Sequence, residues 1–138
     1  MNSNTITRLL QTVKNDLKKF MSSDKNSITK ELDRAFANGD KETSQVVSKL
    51  VGESFKDVVR MLALVDSALS LLQRGAEDYT RVEDLLKRVQ FAAFDFYANW
   101  NVVVAQGPEA VQFVKSVKPV LERLYRIDRS VLDVRKEL

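Results

Sequence analysis

Residues 89–107, which read VQFAAFDFYANWNVVVAQG, restrict the fold of this chain more than any other segment. Asp95 is the one charged residue among them, although 30% of the chain is charged. The segment is also rich in aromatic side chains: Phe91, Phe94, Phe96, Tyr97 and Trp100. Because apolar surface is unfavourable in water, a segment of this kind must pack against the rest of its chain or against another molecule.

The apolar residues outside this segment also follow helical spacing. The chain has only four glycines and two prolines, which disfavours a loop-rich all-β fold. No segment alternates with a period of two, whereas spacings of three and four recur throughout. Both ends carry heptad-like seams: Ile6, Leu10, Val13, Leu17 and Phe20 near the start, and Val120, Leu124, Ile127, Val131, Val134 and Leu138 at the end. The sequence therefore predicts an all-α fold, an antiparallel bundle of about five to six helices with long central helices.

Helix-ending residues divide the chain into six predicted helices. Asp40 is a good N-cap, and Gly75 can end the helix that Asp40 begins. Pro119 is expected to break the last helical segment. A polar stretch over residues 22–26 is expected to form a turn. The predicted helices cover residues 5–21, 27–38, 40–74, 80–106, 108–118 and 119–138.

The start of the fourth helix carries a more specific signal. Thr80 and Glu83 have the spacing of a capping box, in which each side chain bonds the other residue's backbone amide. Pro108 suits the first turn of the helix that follows.

No linker separates two domains, so we expect one helical domain over residues 1–138. Within it, residues 1–39 can form a helical hairpin arm.

The predicted fourth helix has two apolar faces. On a wheel of 100° per residue, one face is an ordinary core stripe that includes Val89, Phe96 and Trp100. A second stripe lies opposite and consists of Phe91, Phe94, Ala98, Val102 and Ala105. Two explanations stay open for the second stripe. The N-terminal helices can cover it within the chain, or it can be an interface with a partner or a second copy.

The residue types exclude most catalytic chemistry. The chain has no cysteine and no histidine, so it lacks thiolate nucleophiles and the commonest general base and transition-metal ligand. Asp66 and Asp95 stand among apolar residues, and we expect each to pair with Arg or Lys, or with backbone amides, rather than to bind a metal. We therefore predict that the protein is not an enzyme and has no catalytic residues, no metal and no cofactor.

A row of basic residues in the last segment supports a different partner. The formal net charge is +3, and five cations align on one side: Lys115, Lys118, Arg126, Arg129 and Lys136. Such a row can follow nucleic-acid phosphates, although acidic residues are interleaved with it. A third alternative is a small-ligand pocket lined by Phe96, Tyr97 and Trp100.

The favoured function is a non-enzymatic helical interaction or assembly module, a regulator, adaptor or assembly subunit that self-associates through the second apolar face. Binding of nucleic acid through the basic row is the alternative. We expect no membrane span, because Asp95 and the amide side chains around it make residues 89–107 too polar to insert. The first residues do not resemble a secretory signal, so a cytoplasmic, intracellular location is expected.

Overall fold

The structure, a computed structural model, describes residues 3–75 and 78–138. These residues form helices and no strand, which confirms the all-α prediction. The elements are α1 (Ser3–Lys19), a π-helical segment (Phe20–Asp24), α2 (Lys25–Ala35), α3 (Lys41–Gln73), α4 (Thr80–Val104) and α5 (Pro108–Lys136).

The first three elements form one continuous N-terminal rod over residues 3–35. The backbone is helical where the π segment begins and ends, with φ and ψ of −62° and −41° at Lys19 and −57° and −44° at Lys25. The turn predicted over residues 22–26 is therefore wrong, and the described part of residues 1–39 does not double back as a hairpin. The inward residues Phe20, Asp24 and Ile28 are four apart, and a wider π turn keeps such a spacing on one side of the rod.

The last segment is also one helix, so the predicted break at Pro119 is wrong. Pro119 lies on the exposed side of α5, as does Lys115 one turn earlier. Proline removes the hydrogen bond that the Lys115 carbonyl would accept, but at the surface water can replace it. With both expected breaks absent, the described residues form four rods rather than five to six helices.

The helix ends follow the sequence in part. The Asp40 carboxylate accepts from two backbone amides of the first turn of α3, and Gly75 has a φ of +79° after its last turn, as predicted. The capping box at Thr80 is wrong. Thr80 already lies inside α4, and its amide and hydroxyl donate to the carboxylate of Asp78, at 2.9 and 2.7 Å.

The four rods pack around a single core. The N-terminal rod lies between α3 and α5, and α4 lies between the same two helices on the opposite side. Cross-rod ion pairs mark all four of these neighbour relations: Lys14–Asp66 and Arg60–Asp95 at 2.7 Å, Arg135–Glu83 at 3.1 Å and Arg123–Asp24 at 3.6 Å. The two heptad seams meet within one chain, because α1 packs on α5.

The continuity of α5 can be tested by replacing Pro119 with alanine. Pro119→Ala restores a backbone donor and a better helix former, so we expect the free energy of unfolding to rise by about 1–3 kcal/mol. Urea denaturation measures the change, with the neighbouring exposed Lys118→Ala as a control that shifts it by less than about 0.5 kcal/mol. A Pro119→Ala variant less stable than the parent would contradict a proline inside a regular helix.

Candidate interaction surface

The second apolar face of α4 lies on the outside of the bundle. All five of its predicted residues are exposed, and we call them the α4 stripe: Phe91, Phe94, Ala98, Val102 and Ala105. The exposed fractions reach 62% at Phe91, 71% at Phe94 and 46% at Val102. Burial under the N-terminal helices, the first of the two explanations, is therefore wrong. The N-terminal rod lies diagonally across the core, where it cannot cover the outer side of α4.

The opposite face of α4 forms the centre of the core. The ring centroid of Phe96 lies 5.9 Å from that of Phe20 and 6.1 Å from that of Trp100. The ring centroids of Trp100 and Phe113 are 5.5 Å apart. Phe96 and Trp100 are almost fully buried. These rings pack on one another, so Phe96 and Trp100 are core residues rather than the walls of a ligand pocket.

The α4 stripe is narrow and continuous. Its residues fall within about 40° either side of Ala98 on a helical wheel. From Phe91 to Ala105 the stripe is about 21 Å long, at 1.5 Å per residue. The large side chains lie at its N-terminal end and the small ones at its centre and C-terminal end. The stripe is thus an apolar ridge that tapers along the helix.

The one charge within the span of the stripe is neutralised inside the chain. Arg60 of α3 donates to Asp95 at 2.7 Å and lies 3.7 Å from Asp57. Asn99 donates to Asp57 at 3.1 Å. Burial raises the pKa of the Asp57 carboxyl, and Arg60 acts in the opposite direction. Asp95 is therefore a structural ion-pair residue, as predicted, and so is Asp66, which pairs with Lys14.

A groove between α4 and α5 continues the apolar surface sideways. It has a volume of about 570 Å³, and Phe91 and Phe94 form one wall. Tyr125 and Leu132 line it from α5, and Tyr125 is 51% exposed. Neither residue is predicted from the sequence, because both lie beside the C-terminal seam rather than on it. Their spacing of seven residues was the available signal.

Polar groups line the same groove between its apolar walls. The hydroxyl of Tyr97 donates to the Leu121 carbonyl at 3.2 Å. Arg135 donates to Gln90, and also to Glu83 at 3.1 Å. Two buried atoms of the groove, Asp128 Oδ1 and Arg135 Nε, have no hydrogen-bond partner among the described residues. Burial raises the pKa of Asp128.

The five residues of the predicted basic row are exposed along α5: Lys115, Lys118, Arg126, Arg129 and Lys136. Within residues 3–75 and 78–138, no ion pair holds any of their side chains. Arg126 also lines a cavity of about 210 Å³ together with Asp16 and Asp24, so acidic groups lie near the middle of the row.

Comparison of the chain with protein-family models, with curated proteins and with solved structures found no match to any of them. Among the described helices, none combines the length and the hydropathy that a membrane crossing requires. The described residues also contain no group of three or more acidic side chains placed to hold a metal ion.

The buried carboxyl of Asp128 leads to a pH-dependent prediction. Its folded-state pKa lies above the ordinary value of 3.8, so the charged form destabilises the fold above that folded pKa. As the pH falls through the folded pKa towards 3.8, the folded state takes up the proton first and this loss is relieved. We expect Asp128→Asn to be more stable than the parent at pH 7, with the difference shrinking towards pH 4.

Urea denaturation at pH 7 and pH 4.5 measures this difference. The control is Asp133→Asn, an exposed carboxyl on the same helix, which should change the free energy of unfolding by less than about 0.5 kcal/mol at both values. If Asp128→Asn lowers stability at pH 7, then Asp128 makes a stabilising contact as a carboxylate.

Proposed function

We propose that this protein is a non-enzymatic helical interaction module that self-associates through the α4 stripe. The observation that carries the proposal is the exposure of Phe91 and Phe94, at 62% and 71%, beside the exposed Tyr125. A contiguous exposed patch of large apolar side chains is typical of an interaction site, and aromatic residues are enriched in interface centres.

The core of the bundle does not need these side chains. It already has Phe96 and Trp100 on the other face of α4, in contact with Phe20 and Phe113. An exposed phenylalanine contributes little to the stability of a single chain and favours aggregation. Two such residues, Phe91 and Phe94, lie one turn apart on the same face as Ala98, Val102 and Ala105. An exposed apolar row of this kind is typical of an interaction surface.

The expected association is of moderate strength. Covering the exposed parts of Phe91, Phe94 and Val102 contributes about 3–5 kcal/mol for each copy. A symmetric pair doubles that contribution, but association itself costs about 4–15 kcal/mol. The most favourable of these figures leaves a net of about 6 kcal/mol, so we expect self-association at tens to hundreds of micromolar.

The double variant Phe91→Asp with Phe94→Asp tests the proposal. Because both side chains are exposed, the variant should keep its helical content and stay within about 1 kcal/mol of the parent in stability. It should elute as a monomer, whereas the parent should show a higher mass that rises with concentration. Light scattering during gel filtration measures the absolute mass, at two salt concentrations.

A matched control separates the stripe from apolar surface in general. Val46 and Val59 are exposed apolar residues of α3, at 45% and 52%, outside the stripe. Val46→Asp with Val59→Asp adds the same charge and should leave the oligomeric state unchanged. A parent protein that is monomeric at about 1 mM, above a dissociation constant of tens to hundreds of micromolar, would overturn the proposal.

A second candidate function is nucleic-acid binding through α5. The observation that favours it is the exposure of Lys115, Lys118, Arg129 and Lys136 along one side of a single unbroken helix, free of ion pairs within the described part of the chain. The uninterrupted helix keeps the two halves of the row aligned across Pro119. Glu122 and Asp133 lie along the same side and weaken the field.

This second candidate predicts binding that depends on salt. Lys118→Glu with Arg129→Glu should lower the affinity for a short duplex or single strand at least about tenfold. The control is Lys18→Glu with Lys30→Glu, which makes the same charge change on the N-terminal rod. Fluorescence anisotropy at about 50 and 200 mM salt measures the affinity of each double variant and of the parent. Binding that is absent or insensitive to salt would reject nucleic-acid binding through α5.

A further inference from the structure

The order of side-chain sizes in the α4 stripe indicates how two copies can meet. Phe91 and Phe94 are large, whereas Ala98 and Ala105 are small and Val102 is intermediate. If two stripes met in parallel, phenylalanine would face phenylalanine at one end and alanine would face alanine at the other. The helices would then be forced apart at one end and leave a gap at the other, because interfaces pack as closely as protein interiors.

The opposite orientation removes this mismatch. About a two-fold axis at Ala98, Phe94 faces Val102 of the second copy, and Phe91 faces Ala105 of the second copy. Each large side chain then meets a smaller one, and Ala98 meets its own equivalent at the point of closest approach. The same relation holds on both sides of the axis, as a symmetric two-fold interface requires.

We infer that the occupant of the α4 stripe is a second copy of this chain, packed with α4 antiparallel to α4 about a two-fold axis at Ala98. This inference rests on the self-association proposed above and adds its geometry. A second copy fits the α4 stripe because the stripe, in the reversed direction, is complementary in size to itself.

The electrostatics of the surface agree with a second copy. Asp95 is the only charged residue between Phe91 and Ala105, and Arg60 of the same chain pairs with it at 2.7 Å. Two such faces can approach without bringing an unpaired charge of either chain into the contact. The stripe offers no unpaired charge with which a strongly charged partner could pair. Electrostatics therefore do not favour such a partner over a second copy.

The first test exchanges the sizes of two side chains that face each other. Phe94→Val removes volume from the contact, and Val102→Phe adds volume to it, so each single variant should weaken self-association about tenfold or more. The double variant restores one large and one small side chain at each contact and should recover most of the parental affinity. Both positions involved are exposed in the single chain, so folding is not at stake.

The second test measures the orientation directly. The chain has no cysteine, so Arg81→Cys at the exposed start of α4 gives a single position for a spin label. In the antiparallel pair the two labels lie about 50 Å apart, since residue 81 is 17 residues from the axis and the helix rises 1.5 Å per residue. In a parallel pair they lie less than about 25 Å apart, because packed helices are about 8–10 Å apart.

The outcomes separate the two levels of the argument. A label distance near 50 Å together with recovery in the double variant supports the antiparallel pair. A self-associating protein with a short label distance, or with no recovery in the double variant, overturns the geometry and leaves the interaction module standing. A protein that stays monomeric at every concentration overturns both.

Discussion

The aromatic contacts at the centre of the bundle decide how the rest of this protein is arranged. Phe96 and Trp100 of α4 contact Phe20 of the N-terminal rod and Phe113 of α5. Three of the four rods therefore meet at one face of one helix. These buried rings fix the position of α4. Whether its remaining faces are covered then depends on where the other rods lie.

Those surroundings are unequal. Helices α3 and α5 cover the flanks of α4, and the N-terminal rod lies on the far side of the core. Among the described helices, none covers the outer side of α4, although the sequence of that side is apolar from Phe91 to Ala105. Arg60 forms an ion pair with Asp95 and so neutralises the one charge between Phe91 and Ala105. An apolar ridge on a well-packed bundle is the consequence, and a second copy with the same ridge in reverse order complements it in size.

Two predicted helix breaks are wrong because the surroundings of the residues let the helix continue. A polar stretch over residues 22–26 reads as a turn, yet buried Asp24, 3.6 Å from Arg123 of α5, lies in a π segment that carries the rod onward. Pro119 reads as a break, yet the carbonyl that it leaves without a partner lies on the exposed side of α5, where the helix can continue. At both positions the free-energy cost of continuing the helix is small because of the groups around the residue. Only the tertiary structure shows which groups those are.

What the sequence by itself determined is the direction of each side chain around its own helix. The heptad seams, the N-cap at Asp40 and the two apolar faces of α4 follow from the helical period and from local backbone chemistry, which need no knowledge of neighbours. Tertiary structure alone decided which of the two faces of α4 would be covered, that Arg60 would meet Asp95, and that Tyr125 and Leu132 would line a groove with Phe91 and Phe94. The physical reason is that periodicity fixes an angle about a helix axis, whereas burial depends on which other rod occupies that angle.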